Sequence, residues 1–383
     1  MIFEKLAGLR HSISNDEKAK HYENINNWFF LIRILLSAGI LAAYQLSGAS
    51  ATLANGLRNS FGENWLLING LYIIISIFGY TALMFPLSYY TEHVLEHHYE
   101  LSNQTFGSWV SDFIKSLLID LVLGLVFFEI IYTLLHFAPE TWWFWATIFY
   151  IAFVIVLSTL FPTLIMPLFN KFEPLENNEL TDKVNAMMQE AGINVVGVYK
   201  WGLEEKTSTG NAAFTGFGKT KRIILGDTLL KDYSDDQILS ILAHEVGHYR
   251  NRDTTRLLVI GSLMAILGFW IAHTVLQYLV TRLGFDSAAD IATMPLFLFA
   301  LMVFSLITMP LSNGYSRKRE YAADRYAVEK MSGAEGLTTA LEKLAEQNLT
   351  DKEPNRIVEV LLHSHPSLNR RIAAAKSFAK TLR

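Results

Sequence analysis

The stretch His244-Glu245-Val246-Gly247-His248 decides how the rest of the chain is read. On a helix, positions i and i+4 share a face, so His244 and His248 can offer imidazole nitrogens to one metal ion. Glu245, next to the first of them, falls beside that ion and can take a proton from water held there. Such a pattern also arises by accident, so its surroundings matter. Ser234 with Gln237 has the form of a capping box. Ile238, Leu239, Ile241, Leu242 and Val246 then supply an apolar face. The stretch therefore belongs to a helix, where the geometry works.

Composition narrows the chemistry. The chain has 383 residues, enough for two or three domains, and is 51% hydrophobic and 13% aromatic, which excludes disorder. A net charge of -4 gives no sign of nucleic-acid binding. With no cysteine, disulfides, thiolate metal sites and a cysteine nucleophile are excluded. A zinc ion must then rest on His, Asp or Glu. Residues 1–27 are polar and mixed in charge, with no cleavage-site pattern after them. The first hydrophobic segment therefore reads as an uncleaved membrane helix.

Six stretches are long and apolar enough to cross a bilayer: approximately 28–47, 65–88, 113–137, 142–166, 254–281 and 292–313. Trp28, Trp65, Trp142, Trp143 and Trp145 fall where an interfacial aromatic belt belongs. Lys5, Arg10, Lys18 and Lys20 mark the N-terminal segment as basic, as are 167–253 and the tail from Gly314. The loops 48–64, 138–141 and 282–291 hold only Arg58 and Arg282. Six crossings put the three basic segments on one side, which the positive-inside rule makes cytoplasmic. Arg33, Asp120 and Glu129, with His136 and His273, lie within spans and should face other helices or a wet cavity.

Between spans four and five, 181–191 reads as an amphipathic helix. Val195–Lys200 and Arg222–Leu225 read as strands, and Asn211–Phe214 as a possible third. The His244–His248 helix then runs directly into span five, which places the site at or just beneath the membrane surface. After span six, Glu320 and Asp324 share a helical face. Glu320 is a natural third metal ligand, and Asp324 can accept the outer N–H of a metal-binding histidine. The plainer alternative is a solvated charged helix. His365-Pro366-Ser367 opens the last helix and Arg370-Arg371 follows. A histidine and an arginine so spaced can stabilise an oxyanion, although a surface cap is the simpler reading of that pattern alone. There is no internal repeat, and Gly216-Phe217-Gly218 is too short for a phosphate loop.

Together these stretches resemble the type I CaaX prenyl proteases, integral-membrane zinc metalloproteases with an H-E-x-x-H helix and a distant glutamate ligand. The resemblance includes Glu96–Thr105, Pro167–Phe172, Asn211–Phe217 and Lys221–Leu230, then the His244–His248 helix, Glu320–Asp324 and Ser364–Pro366. It covers roughly residues 80–375, with the motifs in order.

The resemblance implies that His244, His248 and Glu320 bind one zinc ion per chain, with Glu245 as general base and Asp324 as buttress. It implies that His365 and Arg371 contact the reacting carbonyl and the substrate. Asn211 and Ala212 would lie along an edge strand that takes an extended peptide. The implied fold is a ring of membrane helices around a water-filled chamber, lined in part by Asp120 and Glu129. The family usually has seven spans against six here, and has an aromatic residue where this chain has Ala213. The short linkers look bacterial.

The expected fold is mainly α and polytopic: about six membrane helices around a chamber plus an α+β, zincin-like protease portion. The expected division is 1–169 (four spans), 170–253 (first protease part), 254–313 (membrane hairpin) and 314–383 (second protease part). The expected function is a zinc-dependent endopeptidase in a bacterial inner membrane, with both termini and the site cytoplasmic. Its partners would be a peptide or protein substrate, prenylated or membrane-associated, and the bilayer, without nucleic acid. The alternatives are a membrane-protein quality-control zinc protease and a non-catalytic lipid or peptide chamber.

Overall fold

The structure is a computed structural model and describes residues 14–176, 179–216 and 221–382. Lys5 and Arg10 of the basic N-terminal segment, and Phe217 and Gly218, lie outside the described residues. Helices α1 (Asn15–Leu46), α2 (Ala49–Phe61) and α3 (Trp65–Tyr89) come first. A π turn, Tyr90–Val94, joins α3 to the short α4 (Leu95–His98). Next are α5 (Phe106–Phe137) and α6 (Trp142–Leu160), followed by a π turn at Phe161–Ile165 and α7 (Met166–Phe169). A proline precedes the first π turn by one helical turn, Pro86, and another, Pro162, lies within the second, and a missing N–H loosens the helical ladder there. The helix starts are written locally. Ser14 makes a capping box with Glu17, and Asn64 and Thr105 accept from Leu67 and Ser108 N–H groups.

The protease portion begins with β1 (Phe172–Pro174), α8 (Glu179–Glu190), β2 (Gly197–Trp201), β3 (Ala212–Thr215) and β4 (Arg222–Gly226). The sheet order is β1-β2-β4-β3, with β2 parallel to β4 and both outer strands antiparallel to their neighbours. Strand β1 was not expected, and its three residues end on Pro174, which only an edge strand tolerates. Helices α9 (Asp227–Asp232) and α10 (Asp235–Arg250) follow, then α11 (Asp253–Leu279) and α12 (Met294–Lys330). The chain closes with α13 (Glu335–Gln347), α14 (Arg356–Leu362) and α15 (Leu368–Thr381).

Among the described residues, six helices are long and apolar enough to cross a membrane: α1, α3 with α4, α5, α6 with α7, α11 and α12. The boundary expected at 313/314 falls inside α12, a single helix that carries span six straight into the protease portion. At 13 residues and about 20 Å, α2 is too short to cross. It packs instead across the end of the bundle far from the sheet. Ser50 donates to the carbonyl of Ala292, and Arg58 pairs with Asp290 at 2.7 Å.

Two cores result. One gathers α8, the sheet, α10, the end of α12, α13 and α15, through residues such as Val184, Ile223, Leu225, Leu242 and Val328. The other lies in the far half of the bundle, through Tyr72, Ile131, Tyr132, Trp142 and Phe297. Trp142, expected in the aromatic belt, is fully buried there, because its indole N–H donates to His273 Nδ1 at 3.0 Å. Trp28 and Trp145 are exposed as a belt requires. The intramembrane charges are placed individually. Arg33 lies 3.7 Å from Glu92, His136 stacks on Trp65, and Glu129 packs against α3 at Gly70. Asp120 borders two cavities among the spans, of about 770 and 470 Å³, which also share Tyr80 and Thr81.

Candidate active site

Helix α10 starts where the sequence placed it, with Ser234 and Gln237 bonding reciprocally. Its apolar stripe, Ile238, Leu239, Leu242 and Val246, is buried in the protease core. The opposite requirement is a close approach to α12, and Gly247 supplies it. A Cβ at Gly247 would sit 2.9 Å from the Cα of Ala323 and 3.0 Å from its carbonyl oxygen. Glu320 and Asp324, one turn apart on α12, are thereby brought over His244 and His248.

His244 Nε2 lies 3.1 Å from His248 Nε2 and 3.4 Å from Glu320 Oε2, and His248 Nε2 lies 3.3 Å from Glu320 Oε1. The outer nitrogens are held by carboxylates: His244 Nδ1 by Asp324 at 2.8 Å and His248 Nδ1 by Asp253 at 3.0 Å. A carboxylate can only accept, so each ring keeps a hydrogen on Nδ1, and its Nε2, once free of a proton, has its lone pair directed inward. Glu320 Oε2 is buried and has no hydrogen-bond partner among the described residues. The three inner ligand atoms lie within 4.8 Å of one another, so these residues could hold a metal ion. A buried carboxylate facing two converging imidazole nitrogens is a site that fits a cation. The nitrogen and oxygen donors suit zinc, and with no cysteine the set has no sulfur.

A cleft of about 1050 Å³ opens beside these atoms and is lined by Phe214, Glu245, His248, Tyr249, Asp253, Arg319 and Glu320, among others. Along it runs β3, one of the two outer strands of the sheet. The N–H of Gly226 donates to the carbonyl of Asn211, so by antiparallel alternation the backbone groups of Ala212 and Phe214 face the open edge.

The comparisons with known proteins can be set on this geometry. A family model described as Peptidase family M48 matches residues 174–379. The chain belongs to that family. A second family model, CAAX prenyl protease N-terminal, five membrane helices, matches residues 7–171. The chain is 31% identical over 362 residues to the uncharacterized metalloprotease YhfN of Bacillus subtilis, covering 94% of this chain and 84% of that one. It is 29% identical to CAAX prenyl protease 1 of Saccharomyces cerevisiae, over 77% of this chain and 69% of that one. The fold is similar to the crystal structure of S. mikatae Ste24p, with a TM-score of 0.83 and 26% identity over 96% and 90% of the two chains.

As a member of the M48 family this chain is a membrane metalloendopeptidase that acts on peptides or proteins. A non-catalytic chamber protein is thereby set aside. The remaining expected site residues are placed as follows. His365 is largely exposed, with Nε2 3.5 Å from Glu320 Oε1 and Nδ1 3.0 Å from Ser364 Oγ. Arg371 is buried and bonds Asp324 twice, at 2.6 and 2.8 Å. Its other nitrogen lies 3.4 Å from Glu320 Oε2. It therefore borders the ligands both directly, at Glu320, and through Asp324. Ala213 pairs with Ile224, and the aromatic side chain on this strand is Phe214, one residue later, edge-on to Tyr249.

Sequence reasoning missed Asp253 and Arg319. Asp253 is five residues past His248 and beyond the helix end, where the i, i+4 rule no longer predicts contact. The chain comes back because Arg252 adopts a left-handed conformation, φ 54°. Arg319 Nε donates to Asp253 at 2.5 Å, and its only sequence signal was its place beside Glu320.

Proposed function

We propose that this chain is a zinc-dependent endopeptidase of the CaaX prenyl protease type, cleaving extended peptides at the cytoplasmic face of a bacterial inner membrane. The observation that carries this reading is the convergence of His244, His248 and Glu320 beside a cleft that Glu245, His248 and Glu320 line, next to an open strand edge. His244, His248 and Glu320 would hold the ion, one per chain. Zinc there would supply Lewis-acid polarisation of the scissile carbonyl and a lowered pKa for water.

The chain's own residues do the rest. Glu245 accepts a proton from the attacking water and returns it to the leaving amine nitrogen. His365 donates from its exposed ring to the oxygen that gains charge. Asp324, clamped by Arg371, keeps the Nδ1–H of His244 in place. The substrate adds a strand to β3, bonding the outward backbone groups beginning at Ala212, with Asn211 at the entrance. A membrane-embedded apolar group, such as a prenyl chain, finds matching surroundings in the 770 Å³ cavity, whose lining includes Ile40, Leu41, Leu53, Ile75 and Phe128. The name of the Saccharomyces cerevisiae relative supports this substrate class.

Helix geometry supports the placement at the membrane face. Glu320 lies 26 residues along α12 from Met294, about 39 Å, which exceeds a hydrocarbon core of about 30 Å by one or two turns. The basic segments that surround the site favour the cytoplasmic side.

The test is cleavage of a farnesylated CaaX peptide by detergent-purified protein, with chelation and zinc add-back. Glu245→Gln should keep its metal and lose turnover by a factor of 10² or more. Glu320→Ala should lose the metal. Full turnover in Glu245→Gln would remove the proposed base. Cleavage of an unfolded membrane protein but not of the prenylated peptide would replace the substrate class by a quality-control one.

A further inference from the structure

The two histidines of the site are held alike but by different parts of the fold. The arm behind His244 is Asp324 and Arg371, from the protease end of α12 and from α15. The arm behind His248 is Asp253 and Arg319. Asp253 gives one oxygen to His248 Nδ1 at 3.0 Å and the other to Arg319 Nε at 2.5 Å, and is only 3% exposed. Asp253 is the first residue of α11 and Arg319 lies on α12. Both helices continue through their membrane-length portions packed on each other. At Gly268 a Cβ would come within 3.0 Å of the Phe304 ring.

The turn that delivers Asp253 is strained. Arg252 is left-handed at φ 54°, a conformation that a non-glycine residue rarely adopts. Such a residue persists where its surroundings over-determine it. Here the surroundings are the end of α10 on one side and the Asp253 contacts on the other.

We propose that Asp253 and Arg319 are positioning residues that fix the ring and tautomer of His248 and make its placement depend on the packing of α11 against α12. This rests on His244, His248 and Glu320 being the metal ligands. It follows that a disturbance deep in the bundle that moves α11 reaches His248 through Asp253, whereas the contacts behind His244 come from α12 and α15.

The experiment uses the full chain in detergent, loaded with Zn²⁺ or Co²⁺, and reads metal affinity by chelator competition and the cobalt ligand-field bands. Asp253→Asn keeps the shape and an acceptor but loses the charge. It should weaken metal binding 10- to 100-fold and shift the cobalt bands. Arg319→Gln should do the same and Arg319→Lys should recover part of the loss. Gly268→Leu, roughly 22 Å along α11 from Asp253, should also weaken metal binding although it touches no ligand. Far-UV circular dichroism identifies variants that have lost their fold, and Arg319→Gln decides if Asp253→Asn is one of them. Parent-like affinity and cobalt spectra in folded Asp253→Asn and Arg319→Gln would overturn the positioning arm. An unmoved Gly268→Leu would overturn the coupling to the bundle. His248→Ala separates the two levels: retained metal there means the ligand assignment itself has failed.

Discussion

At His244 two opposing effects meet. Burial lowers the pKa of the ring, but hydrogen bonds to Asp324 and Glu320 outweigh it and raise the pKa from 6.5 to about 9. His248 is shifted upward as well, by Glu320 and Asp253 against the effect of burial. The metal-free site therefore carries a proton at neutral pH that a metal ion must displace. Apparent metal affinity should rise with pH up to about 9 and fall about tenfold per unit below it, as chelator competition across pH 6 to 9 would show. The metal-free protein should behave oppositely. A raised folded-state pKa stabilises fully below 6.5 and is lost as pH rises through 9, so the melting temperature of the metal-free form should fall over that window. Arg371 is buried against Asp324. Arg371→Ala would leave a buried carboxylate without its cation and should cost about 3–5 kcal/mol, measured by denaturant unfolding.

At the level of elements, the approach of α10 to α12 and the free edge of β3 each make a distinct prediction. Gly247→Ala inserts a methyl group 2.9 Å from the backbone of Ala323, where neither helix has a flexible side chain to move aside. The helices must separate, at about 1–3 kcal/mol, and both melting temperature and metal content should fall. On β3, the N–H of Ala212 faces outward while that of Ala213 bonds β4. Ala212→Pro should therefore raise KM for peptide substrates with little change in melting temperature, because an edge strand tolerates proline where its N–H is free. Ala213→Pro should instead unfold the strand. Equal destabilisation by both would mean that the edge is not the peptide's seat.

For the whole molecule, an even number of crossings places the protease portion on one side and the α2 cap on the other. The absence of cysteine makes this directly measurable. In intact cells, Glu63→Cys, in the exposed turn after α2, should react with a membrane-impermeant maleimide. Glu342→Cys, exposed on α13, should react only after lysis. The reverse pattern would invert the proposed orientation. The fold spends its length accordingly: α12 is both a membrane crossing and a wall of the metal site, and joins the two without a linker.

Much of this was legible in the sequence because it depends on local rules. The 3.6-residue period put His244 beside His248 and Glu320 beside Asp324, and the capping box at Ser234 fixed where α10 starts. Runs of apolar residues gave six membrane-length helices, since hydropathy and length are properties of a segment. The motif order pointed to the family. What the tertiary structure alone decided depends on contacts between distant segments. The close approach of α10 to α12 that Gly247 permits brought Glu320 over the histidines. One left-handed residue, Arg252, returned Asp253 to His248. Arg371 was aimed at Asp324 from a helix 47 residues away. Trp142 went to the core because His273, 131 residues on, offered its indole an acceptor. Periodicity carries no information about partners so far apart in the chain, because only the packing of whole elements determines which of them meet.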